Sequence, residues 1–214
     1  MAGNIPTLDE LTKYNVNQPG AVEGVRQSLY DFQSYATAGT TQMTFFQVPQ
    51  GQSSKTKYDT NMEIAGSLPA PKRFLIESIE CYFYPGVNVN FYSGAAAARL
   101  GMADDVYTVM KSGWLDLFIG SKSYLTEAPI GRFPPTTGLK AQNSIALGSG
   151  AAAMEGYDYA VPGGQLYRLE PPILLVPTQN FNITLNWPTA VATPSGQNAR
   201  IGIVLKGILY RNSQ

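Results

Sequence analysis

No histidine occurs anywhere in the 214 residues. That removes nucleophile systems built on an imidazole base, the side chain that most often ligates metals, and the usual general base near neutral pH. Cysteine appears once, at Cys81, so neither an internal disulfide nor a cysteine-based metal spacing is available. Charge is scarce: 14% of residues are charged, against about 25% in an average globular protein. The 15 basic and 15 acidic residues cancel, so no net field draws the chain to nucleic acid, anionic membrane or acidic substrates. No stretch approaches about 18 uninterrupted apolar residues, and the start lacks an apolar signal core. The expectation is cytosolic synthesis without membrane insertion.

What is present is apolar, aromatic and rich in turn formers. Hydrophobic residues make up 44% of the chain, which carries 13 Tyr, 9 Phe, 21 Gly and 15 Pro. A chain of this length can bury a large core as one all-β domain. Strand patterns fall at 43–48, 61–65, 73–84, 114–119, 144–147, 166–176, 181–187 and 200–210. The clearest is 181–187, where Phe181, Ile183, Leu185 and Trp187 alternate with Asn182, Thr184 and Asn186. The 73–84 run is apolar on both faces, so it is expected to be covered on both sides. The 166–176 run is interrupted at Pro171 and Pro172.

Two stretches have helical spacing. In residues 21–35, Val22, Val25, Leu29 and Phe32 follow intervals of three, four and three, with Gly24 weakening the pattern. Residues 95–110 suit a helix broken near Gly101, which would put Asp104 and Asp105 in a first turn and end at Gly113. The expected fold is mostly β: a two-sheet antiparallel sandwich of jelly-roll type with long loops and one or two short helices. Residues 1–38 are expected to form an N-terminal arm with a short helix, and residues 39–214 the single sandwich domain.

Chemistry is hard to find in these residues. Asp104/Asp105 and Glu77/Glu80 are the possible carboxylate pairs, yet the first reads as helix-start electrostatics and the second as opposite faces of a strand. The glycines at 148 and 150 lack the Gly-Lys-Ser/Thr ending of a phosphate loop. Asn182-Ile183-Thr184 is a glycosylation sequon inside a strand. Cys81 reads as a buried, inert thiol. No catalytic, cofactor or metal residue is expected, and no cofactor. Aromatic clusters such as Tyr82-Phe83-Tyr84 and Tyr157/Tyr159 suit protein–protein contacts, where tyrosine supplies area and a polar tip. Ile5 and Leu8 in the arm, and Tyr157, Tyr159 and Val161 in a loop, are the expected subunit contacts. The alternative is a carbohydrate-binding sandwich with Trp114, Trp187 or loop tyrosines as a stacking platform.

Four segments together carry a resemblance. They are Thr60-Asn61-Met62-Glu63-Ile64-Ala65-Gly66-Ser67-Leu68-Pro69-Ala70-Pro71 leading into the 73–84 strand, residues 114–135, Glu170-Pro171-Pro172-Ile173-Leu174-Leu175-Val176-Pro177, and the closing strand 201–211. In texture and element order the chain resembles jelly-roll structural proteins of viruses, bacteriophages especially. The resemblance implies an eight-stranded sandwich in a virion shell, meeting copies of itself and other virion proteins as a high-order homo-oligomer. Many such proteins carry a basic N-terminal arm that neutralises genome; here residues 1–20 offer only Lys13 against Asp9 and Glu10. Direct nucleic-acid binding is therefore not expected.

Overall fold

The structure, a computed structural model, describes residues 22–86, 102–136, 140–146, 154–160 and 165–212, with only the backbone at 102–103, 140–146, 154–160 and 212. The strands are β1 (Val22–Tyr35), β2 (Gln42–Phe45), β3 (Arg73–Tyr84), β4 (Trp114–Ile119), β5 (Lys122–Glu127), β6 (Lys140–Ala146), β7 (Met154–Ala160), β8 (Tyr167–Leu175), β9 (Phe181–Asn186) and β10 (Ala199–Asn212). Among the described residues one helix, α1 (Met102–Lys111), precedes β4, and a 3₁₀ turn (Ile130–Arg132) follows β5.

One sheet has the order β1-β10-β3-β8 and the other β2-β9-β4-β5, with β6 and β7 forming a separate hairpin. Every pairing is antiparallel. Without the hairpin, the chain crosses between the sheets at every step except β4 to β5. The resulting order is that of an eight-stranded jelly roll with its two interleaved Greek keys. No helix among the described residues is long and apolar enough to cross a membrane.

The core lies between the two sheets. In β4, Leu115, Leu117 and Ile119 are buried while Trp114, Asp116 and Phe118 stand half-buried on the outer face. β9 repeats this with Phe181, Ile183 and Leu185 inward. β3 departs from simple alternation. Its register shifts between Ile76 and Ser78, leaving Glu77 as an extra residue. That bulge lets Phe74 and Ile76, then Ile79, Cys81 and Phe83, all face the core. Leu75, Glu80 and Tyr82 are buried on the opposite face, so this strand is covered on both sides. On the β8 side the register jumps from Ile173 to Arg168, and Pro171 and Pro172 sit in the gap. Prolines, which cannot donate to a ladder, belong at such a break.

Three expectations need correction. Residues 21–35 do not form a helix: β1 pairs with β10 from Val22 through Tyr35. Leu29, Asp31 and Tyr35 point inward, and an inward acid disguised the period of two. Pairing along a whole strand outweighs a weak local helical preference. Consequently residues 22–35 of the expected 1–38 arm belong to the sandwich as β1. Residues 61–65 are not a strand either. They form a loop tied by an isolated bridge between Ile64 and Ser67. Third, neither β5 nor β7 was expected: β5 is mostly exposed and carries no apolar alternation, and β7 falls in a Gly/Pro-rich stretch read as loop. The helix near 95–110 is found as α1, with Asp104 and Asp105 in its first turn. Residues 95–101, and residues 87–92, where Val87, Val89 and Phe91 alternate with Asn88, Asn90 and Tyr92, lie outside the described residues.

α1 closes one end of the sandwich through buried Val106 and Val109. The Trp187 indole donates to the Val109 carbonyl at 3.2 Å. At the helix exit, Gly113 has φ +82, and a Cβ there would stand 2.3 Å from the Asn186 carbonyl oxygen, so only glycine fits.

Gly207 offers the sharpest test of the β3–β10 packing. A Cβ built there would lie 1.8 Å from the Leu75 carbonyl oxygen, a backbone atom in a central strand. Gly207→Ala is expected to destabilise the fold by about 3 kcal/mol, lowering the melting temperature by roughly 10 °C. An unchanged melt by circular dichroism would contradict this packing.

Candidate functional site

The anticipated contact residues are only partly within view. Ile5, Leu8 and Val161 lie outside the described residues. Tyr157 and Tyr159, expected in a loop, have their backbones instead on strand β7, opposite Asn143 and Ala141. The anticipated carboxylate pairs separate. Glu77 reaches Arg26 at 2.8 Å on the surface, whereas Glu80 is fully buried. Asp104 is exposed and Asp105 buried. Asp105 accepts the Ser195 N–H at 2.8 Å and the Ser195 hydroxyl at 2.5 Å, which fastens the β9–β10 connection to α1. Burial pushes the Cys81 thiol far above its ordinary value, so it stays protonated and inert. Trp187, anticipated as a possible platform, is core at 2% exposure.

The most distinctive surface lies on the outer face of the β1-β10-β3-β8 sheet. Phe32 of β1, Gly202 of β10 and Tyr82 of β3 occupy one row across three strands. The missing side chain at Gly202 makes room for the Phe32 ring; a Cβ there would stand 2.0 Å from Phe32 Cδ1. Phe32 therefore lies over the middle strand, with ring centres 6.1 Å from Tyr82, 6.2 Å from Tyr84 and 6.3 Å from Tyr30. Arg200 enters from β10 and sets its guanidinium 4.6 Å from the Phe32 ring centre and 3.6 Å from that of Tyr58. It also donates to the Tyr58 carbonyl at 2.7 Å and to Asp59 Oδ1 at 3.1 Å. Tyr58 itself is 75% exposed. The result is a continuous Tyr/Phe/Arg surface beside an open cleft of about 630 Å³.

A buried ion pair holds the loop that carries Tyr58. Asp31, fully buried on β1, accepts the Phe46 N–H at 2.6 Å and an ion-pair contact from Lys55. Phe46 needs that anchor, because it sits at φ +69, where bulky residues are strained. Burial raises the Asp31 carboxyl above its ordinary value, even against Lys55 and the Phe46 amide. A second network, centred on Glu80, fixes the segment after the 3₁₀ turn. Glu80 accepts from Lys206 at 2.7 Å, from the Thr136 hydroxyl at 2.7 Å and from the Tyr82 hydroxyl at 2.8 Å. Burial pushes this carboxyl up, but those donors more than offset it and hold it below its ordinary value.

The other sheet presents a polar outer face. Gln42 donates to Asn186 at 2.9 Å, Asn186 to Asp116 at 2.9 Å, and Thr126 to Asp116 at 2.7 Å. One hydrogen-bonded row thus spans β2, β9, β4 and β5. The Trp114 indole donates to the same Asp116 at 2.9 Å. Asp31, Glu80, Asp105 and Asp116 are each occupied by internal donors. In the aromatic cleft, Arg200 and Lys55 face Asp59 and Asp31. Such an arrangement suits recognition through shape, stacking and neutral hydrogen bonds.

Reasoning from sequence noticed the Tyr82–Tyr84 run but not Tyr58, Arg200 or Asp31, which lie far apart in the chain. No protein family, curated protein or solved structure matches this chain.

Two outcomes follow for the buried acids. Lys55→Ala strands the Asp31 carboxylate in the interior and is expected to cost about 3 kcal/mol at pH 7. Because the Asp31 value is raised, that cost should shrink as the pH falls and the carboxyl takes up its proton; a pH-independent cost in urea melts would refute the burial argument. Glu80 runs the other way. Its lowered value means a stability contribution complete above 4.5, its ordinary value, and lost as pH falls through the folded value. Glu80→Gln should flatten that acid limb of the stability curve.

Proposed function

We propose that this chain is a virion structural subunit, a capsid protein that assembles with copies of itself and other virion proteins. The aromatic surface of Tyr30, Phe32, Tyr58, Tyr84 and Arg200, laid over buried Tyr82, carries this reading. Stable interfaces are enriched in Tyr, Phe and Arg and depleted of uncompensated charge, and tyrosine and arginine dominate their binding energy. The jelly-roll strand order supports it further, since that architecture recurs in viral shells. A neutral chain with 14% charged residues is also suited to covering much of its outside with partners. On this reading the role is structural rather than catalytic, the final location is the virion, and no cofactor or direct genome contact is needed.

The polar sheet face, with half-buried Trp114 above the Asp116–Asn186 row, favours one other reading: a sugar platform. Oligosaccharide binding that disappears in Trp114→Ala would support it over assembly.

Size-exclusion chromatography with light scattering, followed by electron microscopy, tests the subunit reading. High-order species or particles are expected. Tyr58→Ala, altering a 75% exposed side chain, should weaken self-association about tenfold or more while leaving the melt nearly unchanged. A protein that stays monomeric at high concentration across a range of salt would end this reading.

A further inference from the structure

Sheet edges are templates for pairing, and folded proteins blunt those they do not use. Of the four edges of the two sandwich sheets, three are blunted. β8 carries Pro171 and Pro172; β2 has 4 residues; β5 is short, broken in register and charged at both ends. β1 differs, being 14 residues long.

Its second half is already covered. The Phe32 N–H donates to the Asp59 carbonyl at 2.7 Å, and the Tyr30 N–H to Asn61 Oδ1 at 3.0 Å. Asn61 Nδ2 donates to the Ser28 carbonyl at 2.8 Å. These bonds show that even-numbered residues of β1 turn their backbone groups away from β10. By alternation Val22, Gly24 and Arg26 do the same, and among the described residues no hydrogen bond reaches their backbone groups. The open window is centred on Gly24. Glycine here gives room to the Tyr210 ring, since a Cβ would stand 3.2 Å from its Cε1, and a glycine inside a strand also lets another backbone approach closely.

We propose that this window pairs with the same window of a second copy, antiparallel about a two-fold axis through Gly24. The inference rests on the subunit reading above and names one of its contacts. Antiparallel partners must both turn outward or both inward, and Asn61 closes the edge at Ser28, so the register centred on Gly24 is the one that fills the window. Val22 then exchanges hydrogen bonds with the partner's Arg26, and Gly24 with the partner's Gly24. Glu23 faces the partner's Val25 in a pair without hydrogen bonds, and no like charges oppose. Glu23 is already paired with Arg211, and Arg26 with Glu77, so neither arrives as a bare charge. The two β1-β10-β3-β8 sheets become one eight-stranded sheet across the axis. So short a pairing buries less than the roughly 1,200–2,000 Å² of a self-sufficient interface, so it works alongside other contacts in an assembly.

Disulfide trapping in the full chain tests this. Pairs without hydrogen bonds hold Cα atoms about 4.5 Å apart, within disulfide reach, and the native Cys81 is buried. The double variant Glu23→Cys/Val25→Cys should give a reducible dimer under mild oxidation, about tenfold faster than either single variant. In that background Arg26→Pro, which removes an outward N–H, leaves the β10 ladder intact and gives up only the exposed pair with Glu77, should slow trapping about tenfold with little change in the melt. A double variant no faster than the singles, Val25→Cys alone trapping as fast, or indifference to Arg26→Pro would each overturn the pairing. Particles that form normally in the wild type while trapping fails would refute this edge and leave the subunit reading standing. A wild type that is only ever monomeric would remove both.

Discussion

The antiparallel ladder that β10 makes with β1 on one side and β3 on the other sets the terms for everything else in this molecule. It joins the first described strand to the last, and Ile201, Ile203 and Leu205 fill the centre of the core from it. Two glycines on β10 decide what its neighbours can do. Gly202 lets an aromatic ring lie across the strand, and Gly207 lets the Leu75 carbonyl approach at the bulge. A side chain at either position would push neighbouring strands apart in an interior that has no slack.

The buried acids solve a different problem. A jelly roll needs long connections, and long connections must be fastened where the apolar core does not reach. Asp31 fastens the loop after β2, Glu80 the segment after the 3₁₀ turn, and Asp105 the connection between β9 and β10. The balance between burial and donors differs at each site. Glu80 collects enough donors to stay readily ionised, while Asp31 remains dominated by burial although Lys55 faces it. The two therefore oppose each other in their effect on stability as acid is added.

The surface follows from the same frame. The loop held by Asp31 and Lys55 brings Tyr58 over Arg200, completing the aromatic face that Phe32 and Tyr82 begin. Its Asn61 also seals half of the β1 edge and leaves the half around Gly24 open. One buried ion pair thus supports both the face and the edge through which we propose the subunit meets its neighbours.

Residue patterns were enough to give the class of fold and its most regular strands. β4 and β9 were legible because each buries one face and wets the other, which writes a period of two into the residues. The absence of histidine, the balanced charge and the wealth of tyrosine are the residue-level grounds for the contact role proposed above. Packing in three dimensions settled the remainder. β1 imitates a helix because Asp31 occupies a core position and Phe32 an outer one, and only a half-buried lysine and a glycine from distant segments make those choices stable. β5 has no pattern of its own and exists because β4 pairs with it. The aromatic face joins Tyr58 to Arg200 across 142 positions, a separation that local periodicity cannot span, because contacts between distant residues are set by how sheets stack rather than by what stands next in the chain.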